Sequence, residues 1–167
     1  MVNYNRWAAV EYANRWWNDR NPDFPDFEVN CTNYVSQCIN SGGIPMFFTD
    51  DTQSGWWIRS VPETELGFIW SFSWALAHSF RWFLGSDTAK EFAEERQNAY
   101  ELEPGDVIVY DFDGNDVWQH SAIVTAKRQN GQPLVNANSS NSYHRDWTYK
   151  DSPAYTPQIR YRFFHIF

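Results

Sequence analysis

An α+β fold is predicted, with helices in the first part of the chain and an antiparallel β-sheet after them. The first observation behind this is periodicity. Aromatic and apolar residues recur three or four apart near the start, whereas from Asp106 onward β-branched residues alternate with period two. The second is composition. Hydrophobic residues make up 43% of 167 residues and aromatics 19%, with ten Trp, nine Tyr and thirteen Phe, which demands a packed core rather than disorder. A chain of this length suits one domain, taken here as 1–167.

Tyr4, Trp7, Ala8, Val10, Tyr12, Ala13, Trp16 and Trp17 predict an amphipathic helix over 4–18. The two prolines of NDRNPDFPDFEVN make the next stretch a loop. A second helix is expected from about Cys31 to Ser41, with a capping oxygen from Asn30 or Thr32 and a stop at Gly42-Gly43. SWALAHSFRWFLG reads as helical, and so does SDTAKEFAEERQNAY, with Ser86 or Asp87 as its cap. DVIVY (106–110), HSAIVTAK (120–127) and PLVNAN (133–138) read as strands, and Asn130-Gly131 turns the last two into a hairpin. The terminal QIRYRFFHIF alternates well enough for one more strand.

A net charge of −8 repels phosphate backbones, so nucleic acid is not an expected partner. No apolar run is long enough to span a membrane. The first residues lack a basic segment followed by an apolar one, so no secretory signal is expected there. Removal of a signal from a longer precursor would make the chain secreted or wall-associated, and otherwise it would be cytoplasmic. A monomer is expected.

Two cysteines, Cys31 and Cys38, fall seven apart on the expected second helix. Seven helical residues rise about 10 Å, while bridged cysteines need Cα atoms within about 7 Å, so a disulfide is excluded. No further Cys or His pair completes a zinc set, and neither metal nor organic cofactor is called for. Cys38, mid-helix on an apolar stripe with Tyr34, Val35 and Ile39, is a small hydrophobe. Cys31 lies in the first turn, where unpaired N–H groups and the positive dipole end stabilise a thiolate. It is the candidate nucleophile.

A nucleophilic thiol needs a base. His78, His144 and His165 sit in settings that suit structural roles, whereas His120 opens a strand and can project towards a helix start. A base in turn needs a partner on its other ring nitrogen. Asn136 and Asn138 share one face of the following strand, and either could stand beside His120.

With those residues in view, the chain resembles a bacterial amidase domain family within the papain-like group of cysteine hydrolases, which includes NlpC-type peptidases and CHAP amidases. The resemblance rests on YNRWAAVEYANRWW, NCTNYVSQCINSGGIPM, the WW that follows, LEPGDVIVYDFDG, HSAIVTA and PLVNANSSN, in that order through most of the chain. It implies a papain-like, NlpC-like fold and a triad of Cys31 as nucleophile, His120 as base and then acid, and Asn138 as orienter, with Asn136 the lesser choice. Related domains often have Asp before the Cys, where this chain has Asn30, and the amidase family often has His in the third position, where this chain has Asn138.

The expected chemistry is amide hydrolysis through a thioester, with an amide-containing substrate such as a peptidoglycan fragment. The Cys31 N–H would hold the oxyanion, with Asn30 or the DFPDFEVN loop as a further donor. Trp56, Trp57 and Trp118 are expected to line the cleft. An inert binding module on the same fold, or acyl transfer by the same thioester, are the alternatives.

Overall fold

The computed structural model describes residues 2–167. Two helices, α1 (Arg6–Trp16) and α2 (Cys31–Ser41), are followed by a small hairpin, β1 (Ile58–Ser60) with β2 (Phe68–Trp70), and by two short helices, α3 (Phe72–Ala75) and α4 (Ala77–Leu84). Six strands then form one antiparallel sheet: β3 (Ala93–Arg96), β4 (Val107–Asp111), β5 (His120–Lys127), β6 (Pro133–Ala137), β7 (Ser142–Asp146) and β8 (Arg160–Ile166). Their order across the sheet is β3-β8-β4-β5-β6-β7. The α+β arrangement is therefore present, helices first and sheet after. Among the described residues, no helix is long and apolar enough to cross a membrane.

Alternation along the central strands gives the sheet two buried faces. Val107, Val109 and Ile123 pack with Tyr34, Val35, Cys38 and Ile39 of α2. Ile108, Tyr110, Ala122 and Val124 pack on the other side with Phe163, Tyr149 and Leu102. The near-continuous apolar reading of HSAIVTA follows from burial on both faces.

Helix α2 runs over the residues expected, but it is more deeply placed than a surface amphipathic helix. Every residue from Cys31 to Ile39 is buried, including Thr32, Asn33, Ser36 and Gln37. Buried polar groups need partners, and each of these has one. Thr32 Oγ1 meets Ser121 Oγ of β5 at 2.9 Å, Asn33 Oδ1 accepts from Trp74 Nε1 at 2.9 Å, Ser36 Oγ donates to the Trp74 carbonyl at 2.8 Å, and Gln37 Oε1 accepts from Tyr12 at 2.5 Å. Three neighbours, Ser121 of β5, Trp74 of α3 and Tyr12 of α1, thus fix the helix. Neither expected cap operates: Asn30 precedes the helix without a side-chain cap bond, and Thr32 spends its hydroxyl on β5.

The structure corrects two helices. SWALAHSFRWFLG is not continuous, because Leu76 adopts an extended conformation (φ −116°, ψ 125°) that separates α3 from α4. The segment 86–100 is not a helix. It makes two short 3-10 turns flanking β3, which pairs with β8 through Ala93↔Ile166 and Glu95↔Phe164. Burial of Phe92 and Ala93 and the ladder to β8 override the helical propensity of its Glu, Lys and Ala residues. The hairpin β1-β2 and strand β7 were not anticipated from the sequence.

One buried carboxylate ties the first helix to the sheet. Asp106, fully buried, accepts from Arg6 Nη1 (2.9 Å), from the N–H groups of Glu103 (2.8 Å) and Ile166 (3.0 Å), and pairs with His165 Nδ1 (2.9 Å). Asp106→Ala would leave these donors facing a void, and is expected to lower unfolding free energy by about 3 kcal/mol in urea titrations. Unchanged stability would show that the network is incidental.

Candidate active site

Cys31 is the first residue of α2, so its N–H has no partner within the helix. Its sulfur lies 3.8 Å from Thr32 Oγ1, whose hydroxyl in turn meets that of Ser121 on the strand. The seat is made by the Thr32–Ser121 bond, which presses the helix start onto the start of β5. Cys31 is only 3% exposed and Cys38 is fully buried. Both are free thiols.

His120 begins β5 beside Ser121 and is 7% exposed. Its cross-strand neighbour is Tyr110 of β4. The ring lies in an aromatic cage, with Tyr149 at 4.9 Å, Tyr110 at 5.4 Å and Phe112 at 6.0 Å between centroids. Nε2 is 2.7 Å from the Tyr149 hydroxyl. Among the described residues neither ring nitrogen hydrogen-bonds the thiol; Cys31 is tied to β5 through the Thr32–Ser121 bond, one residue along the strand from His120.

The expected partnership of His120 with an asparagine is not made. Ile123 pairs with Asn136, which places Asn136 and, two residues on, Asn138 on the face turned to the helices. His120 lies on the opposite face with Ala122 and Val124. Asn136 accepts from Thr125 Oγ1 (2.8 Å) and donates to Asn14 Oδ1 (2.9 Å). Asn138 donates to the carbonyls of Trp16 (2.8 Å) and Asp19 (2.9 Å) and accepts from Arg20 and from Asn30 Nδ2 (3.2 Å). Its amide pins the α1–α2 loop below the nucleophile. Asn30 is drawn into the same network, with Oδ1 accepting from Asn33 at 2.9 Å.

The tryptophans are also corrected. Trp56 and Trp57 are buried at 0% and 1% exposure, with indole N–H groups on Ser36 Oγ and the Ser54 carbonyl. They are core, not cleft. Trp118 is 4% exposed and its ring lies between the guanidinium groups of Arg81 (5.6 Å) and Arg162 (5.8 Å). A cleft of about 500 Å3 lined by Tyr12, Arg15, Trp16 and Asn21 includes none of the expected site residues. The residue the sequence reading missed is Tyr149. Nothing in its sequence neighbourhood, DWTYKD, signals proximity to His120; only the path of the chain between β7 and β8 creates it.

Electrostatically the site rests neutral. Burial pushes the Cys31 thiol up, an effect opposed by the Ser121 N–H, by Thr32 and by its own N–H. Burial, reinforced by the charge of Arg145, lowers His120 to about 3. At neutral pH the pair is thiol and imidazole rather than thiolate and imidazolium. Among the described residues, no cluster of three or more His, Cys, Asp or Glu is arranged to hold a metal ion.

The buried imidazole has a consequence for stability. Above pH 6.5 it is neutral in both folded and unfolded chains; as pH falls from 6.5 towards about 3, the unfolded chain binds a proton that the folded site refuses. Stability is therefore lost with acidification, at roughly 1.4 kcal/mol per pH unit within that window. Urea unfolding of the parent at about pH 7.5 and about pH 4.5 should show this loss, and His120→Gln should reduce the difference. Equal acid sensitivity in both proteins would contradict the depressed imidazole.

The family model described as "Putative amidase domain" matches residues 3–164. An uncharacterised protein of Bacillus subtilis (strain 168), YhbB, is 47% identical over 163 residues, covering 98% of this chain and 50% of the relative. A second from the same organism, YjcM, is 28% identical over 149 residues, covering 83% of this chain and 31% of the relative. The chain thus spans half or less of the length of these relatives. No solved structure matches it at a significant level. With its helical first half, its six-stranded sheet and nearly its whole length aligned, the chain belongs to the family of the putative amidase domain.

Proposed function

We propose that the chain is a cysteine-dependent amide hydrolase with Cys31 as nucleophile and His120 as base, in a papain-like arrangement of helix-start thiol against strand-start imidazole. The observation that carries this reading is the seat of Cys31. Cys31 opens α2, whose start is fixed on β5 by the Thr32–Ser121 hydrogen bond, one residue along that strand from a buried histidine whose Nε2 is engaged by Tyr149. Membership of an amidase family supports the hydrolysis of amides. Of the two cysteines, Cys38 sits fully buried in mid-helix, without a helix terminus or a histidine beside it.

The steps follow from this geometry. A substrate carbonyl approaching the start of α2 meets the unpaired Cys31 N–H, which stabilises the developing oxyanion. Because the resting pair is neutral, the proton leaves sulfur as the C–S bond forms, with His120 as general base. The imidazolium then protonates the leaving amine and the thioester remains. Water, deprotonated by the same ring, releases the acid and frees the thiol. Asn138 acts at one remove, by holding Asn30 and the loop that leads into the nucleophile. The substrate proposed is a peptide amide, with peptidoglycan stem peptides a candidate class.

The test is to incubate the protein with a panel of peptide amides and peptidoglycan stem peptides, then measure amine release and intact mass. The parent and Cys38→Ala should release amine and carry a transient acyl mass on Cys31. Cys31→Ala and His120→Ala should each lose about 10³-fold or more in kcat/KM. Turnover that survives Cys31→Ala would overturn the thioester mechanism. Amine incorporation in place of acid release would make the activity acyl transfer.

A further inference from the structure

We propose that Arg81, with Arg162 beside it, forms a binding site for the carboxylate of a peptide, at the end of the sheet where β5 begins. The site is separate from the Cys31 thiol. Only the choice of a peptide as bearer of the carboxylate rests on the reading of the chain as an amide hydrolase.

Arg81 lies in the last turn of α4 and is 8% exposed. The helix dipole favours a positive charge at that end, but a buried guanidinium also needs acceptors for its N–H groups. Its buried Nε has no hydrogen-bond partner, and among the described residues Arg81 makes no ion pair. What surrounds it is aromatic. The guanidinium carbon is 4.0 Å from the centroid of Trp82 and 5.6 Å from that of Trp118. Contact with ring faces holds a guanidinium without using its N–H donors, which point along its edge.

The neighbouring charges leave this demand unmet. The Arg162 guanidinium, on β8, is 5.8 Å from the same Trp118 ring, so two like charges flank one indole. Burial and the charge of Arg162 both push the Arg81 pKa down, opposed by Glu95 and Asp116. Each of these acids is engaged elsewhere: Glu95 with Arg162 at 3.3 Å, and Asp116 with Arg160 at 3.0 Å. The missing partner is therefore an anion from outside the chain. A planar carboxylate matches the fork of a guanidinium through two parallel bonds, and its charge would offset the Arg81–Arg162 repulsion. Sheet register gives the site its bearing on a peptide. Arg162 pairs with Val109 and Val109 with Ser121, the residue that Thr32 fastens to the start of α2. This row crosses two strand spacings, about 10 Å, which is roughly three residues of extended peptide.

Nitrogen-15 NMR of the arginine Nε–H and tryptophan indole signals tests this, in the full chain at neutral pH and constant ionic strength. N-acetylalanine should move the Arg81 Nε–H signal to saturation, and its methylamide, which lacks the carboxylate, should leave it in place. In Arg81→Met, which keeps an apolar stem between the indoles, binding read at Trp118 should weaken about tenfold or more. Inorganic phosphate should bind less tightly than N-acetylalanine. An unmoved Arg81 signal would overturn the proposal, as would equal binding of the methylamide or undiminished affinity in Arg81→Met. Phosphate binding as tight or tighter would overturn the assignment to a carboxylate. Should Arg81→Met fail to fold, the parent titrations with N-acetylalanine and its methylamide decide alone. Cys31→Ala should bind N-acetylalanine as the parent does. Failure of the proposed hydrolysis would thus leave this site standing, and failure of this titration would leave the hydrolysis standing.

Discussion

The site depends on one contact, the start of α2 lying on the start of β5. A helix buried on all sides cannot rely on a greasy stripe for its placement, since burial alone is non-directional. Polar side chains supply the direction. Thr32, Asn33, Ser36 and Gln37 are each hydrogen-bonded to specific neighbours, and a shift by one residue would leave several of them unpaired in an apolar interior. This specificity carries Cys31 to Ser121, and hence to the residue beside His120. The nucleophile is positioned by groups that take no part in its chemistry.

Desolvation then sets the character of the site. Excluding water favours the uncharged form of both groups, so it raises the thiol and lowers the imidazole. The helix terminus and the Ser121 N–H oppose this at sulfur alone. A preformed ion pair would need a compensating charge, and the cation that acts on His120, Arg145, works in the wrong sense. Charge is therefore created only as reaction proceeds, in surroundings where the N–H groups at the helix start already point towards it.

Much of this was legible in the chain. The bounds of α2 and β5 follow from their sequence patterns, because stop residues and alternation are local signals. The special position of Cys31 relative to Cys38 was legible for the same reason. What failed was whatever depended on pairing between distant segments. Asn136 and Asn138 were assigned by alternation within one strand, but which face they share with His120 is set by the β5–β6 register. Tyr149 reaches His120 from a loop fixed by Tyr110 and Tyr161, and no local pattern encodes that convergence. Trp56 and Trp57 looked like ligand platforms because a sequence does not show how much aromatic volume the core will absorb.

The misread segment 86–100 has a role that its composition disguised. Strand β3 and strand β7 are the two edges of the six-stranded sheet, where unpaired backbone groups invite another chain to add on. On β3, Glu94 is paired with Arg96 and Glu95 with Arg162, which places a charged fringe along a strand of four residues. On β7, His144 turns left-handed at φ +47° and breaks the regular edge. The glutamates that imitate a helix are thus residues that resist edge-to-edge aggregation. Both margins of the six-stranded sheet are thus charged or irregular, which makes each a poor template for a further strand.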